Sequence, residues 1–303
     1  VALGLLPVLV AGDPYFTYVG GTACLLALLA TSWGLMASAG VISFGHAGFF
    51  GAGAYGAALA ASRLGLSPWI SLGAGGAVAA LAAAPLTWSC QRVHGPYLAL
   101  TTLAHAEVLR VLVQNWTGLT GGAQGLVGLP GLALPWPAPA GVDPRVPAYY
   151  SVWLLLAAGV AGAAALRHGP FGYALDAVRE SEARAAALGV SPAGTRAAAL
   201  GLGAFLAGLA GGAYAFQVHF LEPGLAFGIS FSVLPLVMAM FGGRLHPAGP
   251  VVGALALHGV NELLFQRLVP RGHLLLFGLV VIGVVARLPD GLLPRRARAA
   301  VAP

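Results

Sequence analysis

Charge is scarce in this 303-residue chain: 15 basic and 9 acidic residues amount to 8% of it, against about 25% in an average soluble domain. So few charges cannot solvate the surface of a soluble globular enzyme, and that class is excluded. Lysine is absent, all 15 basic residues being arginine. A phosphate-binding loop ending in Gly-Lys-[Ser/Thr] therefore cannot occur in these residues, and any ATP the protein uses is expected to be hydrolysed by a partner. Cysteine is limited to Cys24 and Cys90, both in apolar stretches. That excludes a disulfide framework and a CxxC metal site, and both read as packing residues.

The net charge of +6 would point a soluble protein towards nucleic acid. Here the arginines are scattered at the ends of apolar segments, the pattern of cytoplasmic loops, so nucleic acid is not an expected partner. What the chain has in abundance is apolar residues, at 58%, and glycine, at 45 positions, which transmembrane helix packing favours. The expected fold class is all-α, a polytopic transmembrane helix bundle in a single domain covering residues 1–303.

Apolar runs bounded by Arg, Pro and turn clusters give about ten candidate spans, some shorter than the ~20 residues of a straight crossing. They are Val1 to Gly12, Tyr18 to Ser38, Phe44 to Ala61, Pro68 to Cys90, Pro96 to Trp116, Tyr149 to Leu166, Thr195 to Phe216, Gly228 to Phe241, Gly249 to Phe265 and His273 to Ala286. The first has no basic flank and no obvious cleavage site, so it reads as a short span rather than a signal peptide. Alternation places Arg92, Arg167, Arg179, Arg184, Arg196, Arg244, Arg287, Arg295, Arg296 and Arg298 on one side and Arg63, Arg145, Arg267 and Arg271 on the other. The excess marks the first side as cytoplasmic. A loose correspondence between the halves, each with a short Gly-interrupted run after a longer span, suggests an internal repeat with broken helices near a pathway.

Two loops stand out. The external one, about 117–148, is rich in Gly and Pro and reads as a compact cap. The cytoplasmic one, about 167–196, concentrates seven of the 24 charges and predicts one soluble helix from Gly172 to Leu188, stopped by Gly189.

Three motifs bear on function. In Val41 to Tyr55, Ser43 suits a helix cap, and Gly48, Ala52, Gly56 and Ala60 recur every four residues as a flat packing face. Ser43 and His46, polar groups at the start of a broken segment, read either as packing groups or as pathway residues. In Arg92 to Gly122, Gly95-Pro96 opens a helix on which Glu107 and Arg110, three apart, form a structural ion pair. In Phe171 to Val190, Ala174, Ala177, Val178, Ser181, Ala185 and Leu188 share one face, with the pairs Asp176–Arg179 and Glu180–Arg184 on the other. This is either a solvated loop helix or one that docks in a partner's groove.

Together these motifs resemble the permease subunits of bacterial branched-chain amino acid ABC importers. The family's Ser-Phe-Gly-His-Ala-x-Phe-Phe-Gly-x-Gly-Ala-Tyr segment is matched at Ser43 to Tyr55. Gly-x-Tyr-Leu-Ala is matched at Gly95 to Ala99, Asn-Trp-Thr at Asn115 to Thr117, and Thr-Gly-Gly at Thr120 to Gly122. The cytoplasmic helix pattern is matched at Ala177 to Gly189. The resemblance covers about Tyr18 to Pro289, and its His-Ala-x-Phe-Phe version is that of one of two permease subtypes that pair.

The resemblance implies a transport subunit rather than an enzyme, forming half of a translocation pathway for branched-chain or related amino acids. It implies a second homologous permease, two ATPase subunits, an external substrate-binding protein and surrounding membrane lipid as partners. It also implies a bacterial inner-membrane location with a cytoplasmic C-terminus; in departure from some relatives no ATPase is fused after Arg287, so the ATPases are expected on other chains. The residues it assigns to ATPase coupling are Arg179, Glu180, Ser181, Glu182, Ala185, Leu188 and Gly189; the candidate pathway residues are Ser43, His46, Thr101 and Thr102. No cofactor, metal or catalytic residue is expected. The rival is an ion-coupled secondary transporter, which would place ionisable groups mid-span; the chain offers Glu107 beside Arg110, and His258 with Glu262. As a metal site, His258 and Glu262 lack a third ligand.

Overall fold

The computed structural model describes residues 13–89, 93, 95–132, 143, 145–262, 278, 283, 287 and 291–293. The runs Val1 to Gly12 and, for the most part, His273 to Ala286 lie outside the described residues, as do Cys90, Arg92, Arg267, Arg271, Arg295, Arg296 and Arg298.

Local signals set the helix starts. Asp13 accepts the Tyr15 N–H at 2.8 Å and Pro14 fills the first turn of α1, Pro14–Ser38. The same Pro-first grammar, which uses a residue with no amide to lose, opens α3 (Pro68–Ala82), α5 (Pro96–Asn115), α8 (Pro170–Glu180) and α10 (Pro192–Val218). Between these lie α2 (His46–Leu64), α4 (Ala84–Ser89), the one-turn α6 (Thr117–Thr120), α7 (Arg145–His168) and α9 (Glu182–Ala187). The one-turn α11 (Pro223–Ala226), α12 (Ser230–Gly242) and α13 (Gly249–Val260) follow.

Among the described residues five helical stretches are long and apolar enough to cross a membrane: Pro14–Ser38, Pro68–Ser89, Arg145–His168, Pro192–Val218 and Pro223–Gly242. This is the expected all-α polytopic membrane fold. The 19-residue α2 and 20-residue α5 have crossing length but more polar sequences. For α2 the reason is position, since it is enclosed by α3, α5, α10 and α12 and meets protein where an outer helix meets lipid.

That enclosure needs close backbones. A side chain on Gly53 would overlap the Gly208 backbone, the Gly75 carbonyl lies 2.9 Å from where a Gly208 Cβ would stand, and a Cβ on Gly75 would meet Gly53 O at 2.5 Å. So α2, α3 and α10 share a seam of glycine backbones bordered by no side chain larger than those of Ala57 and Ala79, the kind of approach that drives helix association in lipid through van der Waals contact. The expected flat face of Gly48, Ala52, Gly56 and Ala60 is corrected here, because Gly48 faces Ala106 of α5, Gly51 faces Phe227, and Gly56 faces Gly75 and Val78 of α3. The helix is small on all sides, and an all-round glycine pattern registers at many spacings, of which four was one.

At one end of the bundle the connecting loop forms a cap. Leu126–Val127 pairs antiparallel with Phe220–Leu221, a His219 ring nitrogen bonds Leu129 O at 2.9 Å, Tyr55 Oη reaches Leu221 O at 3.4 Å and Arg63 donates to Gly118 O at 3.3 Å. Residues 133–142 and 144 of the loop lie outside the described residues.

We expect Gly53→Val or Gly208→Val to force α2 off α10 and to lower stability by about 1–3 kcal/mol or more, as overpacking does. Gly73→Ala, whose added Cβ meets nothing within 4 Å, serves as the control. Thermal unfolding in detergent reads the difference, and equal midpoints for all three variants would contradict the seam.

Candidate functional site

The chain breaks between α1 and α2, and the polar groups of the first motif gather there. Ser43 was expected to cap α2; instead the cap position is Gly45, with no capping side chain of its own. Hydroxyls from distant helices supply the acceptors. Thr102 Oγ1 of α5 accepts the Phe44 N–H at 3.0 Å and the Gly45 N–H at 3.3 Å, and Ser232 Oγ of α12 accepts the Ala47 N–H at 2.9 Å. The first free amides of a helix need such partners wherever water is excluded. Local capping fails because a Cβ on Gly45 would overlap the Thr102 carbonyl, so α5 presses directly on the break.

Trp33, buried in α1, fixes the other side by donating its indole N–H to Ser43 O at 2.8 Å. His46 is fully buried, with Nε2 2.7 Å from Ser32 Oγ. The Ser32 hydroxyl lies 2.6 Å from Leu29 O and donates to it, so Nε2 of His46 carries the proton and Nδ1 is left as an acceptor. Ser43 Oγ and His46 Nδ1 are buried without a partner among the described residues. Thr101 turns back to its own helix, donating to Tyr97 O at 2.8 Å. Ser232 escaped the sequence reading. Its signal was a hydroxyl just after the Gly228 break, in the second short run, and the structure brings the starts of the two short runs together at Ala47 and Ser232.

Beside this junction lies a cavity of about 680 Å³ between α5, the start of α2 and the 224–232 segment, with Ala47, Leu103, Glu107, Arg110, Ile229 and Ser232 in its wall. Ser43, His46 and Thr102 lie behind that wall. The expected ion pair is present: Arg110 Nη2 meets Glu107 Oε1 at 2.5 Å, Nε meets Oε2 at 2.9 Å, and Nη1 donates to Gln114 at 2.8 Å.

The charged segment departs from its expected form. In place of one helix from Gly172 to Leu188, α8 ends at Glu180, Ser181 is extended (φ −163°, ψ 114°), and α9 begins at Glu182 with Ser181 Oγ accepting the Arg184 N–H. A serine hydroxyl offers the backbone a cap that competes with continuing the helix. Asp176 and Arg179 pair at 3.6 Å as expected, but the break separates Glu180 from Arg184, and Glu182 pairs with Arg196 of α10 at 2.6 Å. The expected docking face is divided too, for Ala185 turns inward with Val178 and Leu175 while Leu188 stands 80% exposed and Tyr173 61% exposed. Gly189 does end the element, in the left-handed region at φ +80°.

This segment touches the α1–α2 break. Arg167 bonds Ser38 at the end of α1, and the Cα of Arg179 lies 4.0 Å from where a side chain on Gly40 (φ +78°) would begin. Among the described residues no three His, Cys, Asp or Glu side chains are grouped as a metal would need.

The family model described as "Branched-chain amino acid transport system / permease component" matches residues 15–285. The chain belongs to that family. Two relatives, the high-affinity branched-chain amino acid transport system permease proteins LivM of Escherichia coli (strain K12) and of Salmonella typhimurium (strain LT2), are each 32% identical over 275 residues. The alignments cover 84% of this chain and 64% of each relative, so the chain spans just under two thirds of their length. No solved structure matches.

Removing the Thr102 hydroxyl strands the buried Gly45 amide and the part-buried Phe44 amide, at about 1–3 kcal/mol for an unsatisfied buried donor. Thr102→Val should therefore lower the thermal midpoint in detergent and speed amide exchange at Phe44 and Gly45, whereas Thr102→Ser should restore both.

Proposed function

We propose that this multi-pass membrane protein is a permease subunit of an ABC importer, forming half of the translocation pathway for branched-chain or related amino acids. The observation that carries the proposal is the charged segment α8–α9, held against the break before α2 and presenting Tyr173, Glu180 and Leu188 outward, in a chain of this transport family. Two ATPase subunits would grip this segment, with Leu188 and Tyr173 as apolar knobs and Arg179, Glu180 and Glu182 as the charged rim. Ser181 and Gly189 are the joints that let α9 move, and Ala185 is the pivot packed on the bundle. A second homologous permease would complete the pathway, and an external binding protein would deliver the amino acid. The setting is a bacterial inner membrane with its lipid, the C-terminus lying on the cytoplasmic side with α8–α9.

The contacts suggest a route for the stroke. A push on α8 reaches Gly40 through Arg179 and, by way of the end of α7 that joins it, Ser38 through Arg167, and so shifts the 39–45 break, which Trp33, Thr102 and Ser232 hold. Ser43, His46 and Thr102 then act as pathway residues by setting the angle at which α2 leaves the break, while Thr101, bonded within α5, takes no part in holding it.

A Glu180→Arg, Leu188→Asp double variant should reduce co-purification of the ATPase subunits and amino acid uptake about tenfold, equivalent to about 1.4 kcal/mol of binding, with an unchanged thermal midpoint. Wild-type uptake in that variant would overturn the docking role. With no lysine for a phosphate loop, the purified 303-residue chain should show no ATP turnover. Uptake should stop when the ATPase subunits are omitted and continue in the presence of an uncoupler; the reverse pattern would establish the ion-coupled transporter instead.

A further inference from the structure

Glu107 is the twelfth of the twenty residues of α5, so the Glu107–Arg110 pair sits near mid-depth of a helix of crossing length. Both side chains are accessible, at 58% and 31%. Charges at that depth face either protein or a water-filled space, since hydrocarbon cannot solvate them. The neighbouring surface is the cavity of about 680 Å³, which supplies the space. We propose that this cavity is a binding site for a zwitterionic amino acid with an apolar side chain, in which Arg110 takes the carboxylate and Glu107 the ammonium group. The proposal rests on the transport reading above and adds to it the residues that read the cargo.

The chemistry of the wall fits such a ligand. Arg110 and Glu107 together present one fork of donors and one pair of acceptors, the complement of an α-amino acid's two charges. At rest they satisfy each other within one helix. When the ligand enters, its carboxylate replaces Glu107 on the guanidinium and its ammonium replaces Arg110 on Glu107, so neither charge is left bare during the exchange. The start of α12 borders the same cavity at Ile229 and Ser232, but its Phe231, Ser232 and Val233 amides are already taken by the Gly228 and Ile229 carbonyls, so the carboxylate falls to Arg110. Leu100, Leu103 and Phe227 supply an apolar wall for the side chain.

The test uses the assembled transporter in detergent. Leu103→Cys is introduced with Cys24 and Cys90 changed to alanine, and an unchanged thermal midpoint in detergent certifies that the complex is folded. Labelling by a charged, water-soluble methanethiosulfonate is then followed with leucine, with leucinamide, which lacks the carboxylate, and with 4-methylpentanoate, which lacks the ammonium group.

The expected result is ready labelling, at least tenfold slower with saturating leucine and unaffected by either analogue. Protection should be lost when Glu107→Gln or Arg110→Gln is added, while the thermal midpoint in detergent stays at that of the Leu103→Cys parent. Absence of labelling, equal protection by all three compounds, or full protection in the Gln variants would overturn the site. Labelling and protection require no ATP, so failure of the importer reading would show separately as ATPase activity indifferent to the binding protein.

Discussion

The contact on which the rest of this structure depends is backbone against backbone, at Gly53, Gly75 and Gly208. In a membrane the apolar side chains of neighbouring helices gain little by leaving lipid, so association comes from packing density and from polar groups that have no other partner. The glycine seam supplies the first. It lets α2 sink among α3, α5, α10 and α12, and once it is there its leading amides are sealed from water. The hydroxyls of Thr102 and Ser232 supply the second. The two requirements are coupled, because only a helix so closely approached has its start within reach of side chains on both α5 and α12.

The break between α1 and α2 is thereby over-determined on the bundle side and exposed to leverage on the other. Trp33, Thr102 and Ser232 hold it through directional hydrogen bonds, while Gly40 and Ser38 meet the charged segment through a left-handed turn and a single side-chain bond. A displacement at α8 would therefore find its compliance at residues 39–41 and its resistance at residues 43–47. Stiffness graded in this way would convert a sideways push into a tilt of α2.

The helical architecture was legible in the sequence because its determinants are local. Ser67-Pro68 and Gly95-Pro96 announce helix starts and Gly189 announces a stop, whereas the helices that begin at Pro14 and Pro192 start ahead of the apolar runs read from Tyr18 and Thr195. The Glu107–Arg110 and Asp176–Arg179 pairs follow from spacing on one helix. What was misread is tertiary in origin or depends on a competition between local options. Periodicity joined α8 to α9 because alanine, glutamate and arginine all favour helix, and it outweighed the one residue, Ser181, whose hydroxyl can cap. That error carried the Glu180–Arg184 pair with it and hid the Glu182–Arg196 pair, whose partners are far apart in sequence. Ser43 was given the capping role by proximity, whereas the acceptors come from residues 58 and 185 positions away, a relation no local pattern encodes.

The capping of α2 from a distance also bears on the order in which the protein can be made. A ribosome delivers Ala47 to the membrane long before Ser232 exists. During that interval the Ala47 amide must be covered by water, by the insertion machinery or by a provisional partner, and α2 cannot settle at its final depth. Insertion of the α10–α12 region is then the step that locks the first half of the chain. Chains truncated before α12 should remain in a loose, protease-sensitive state even though every residue of α1 to α5 is present.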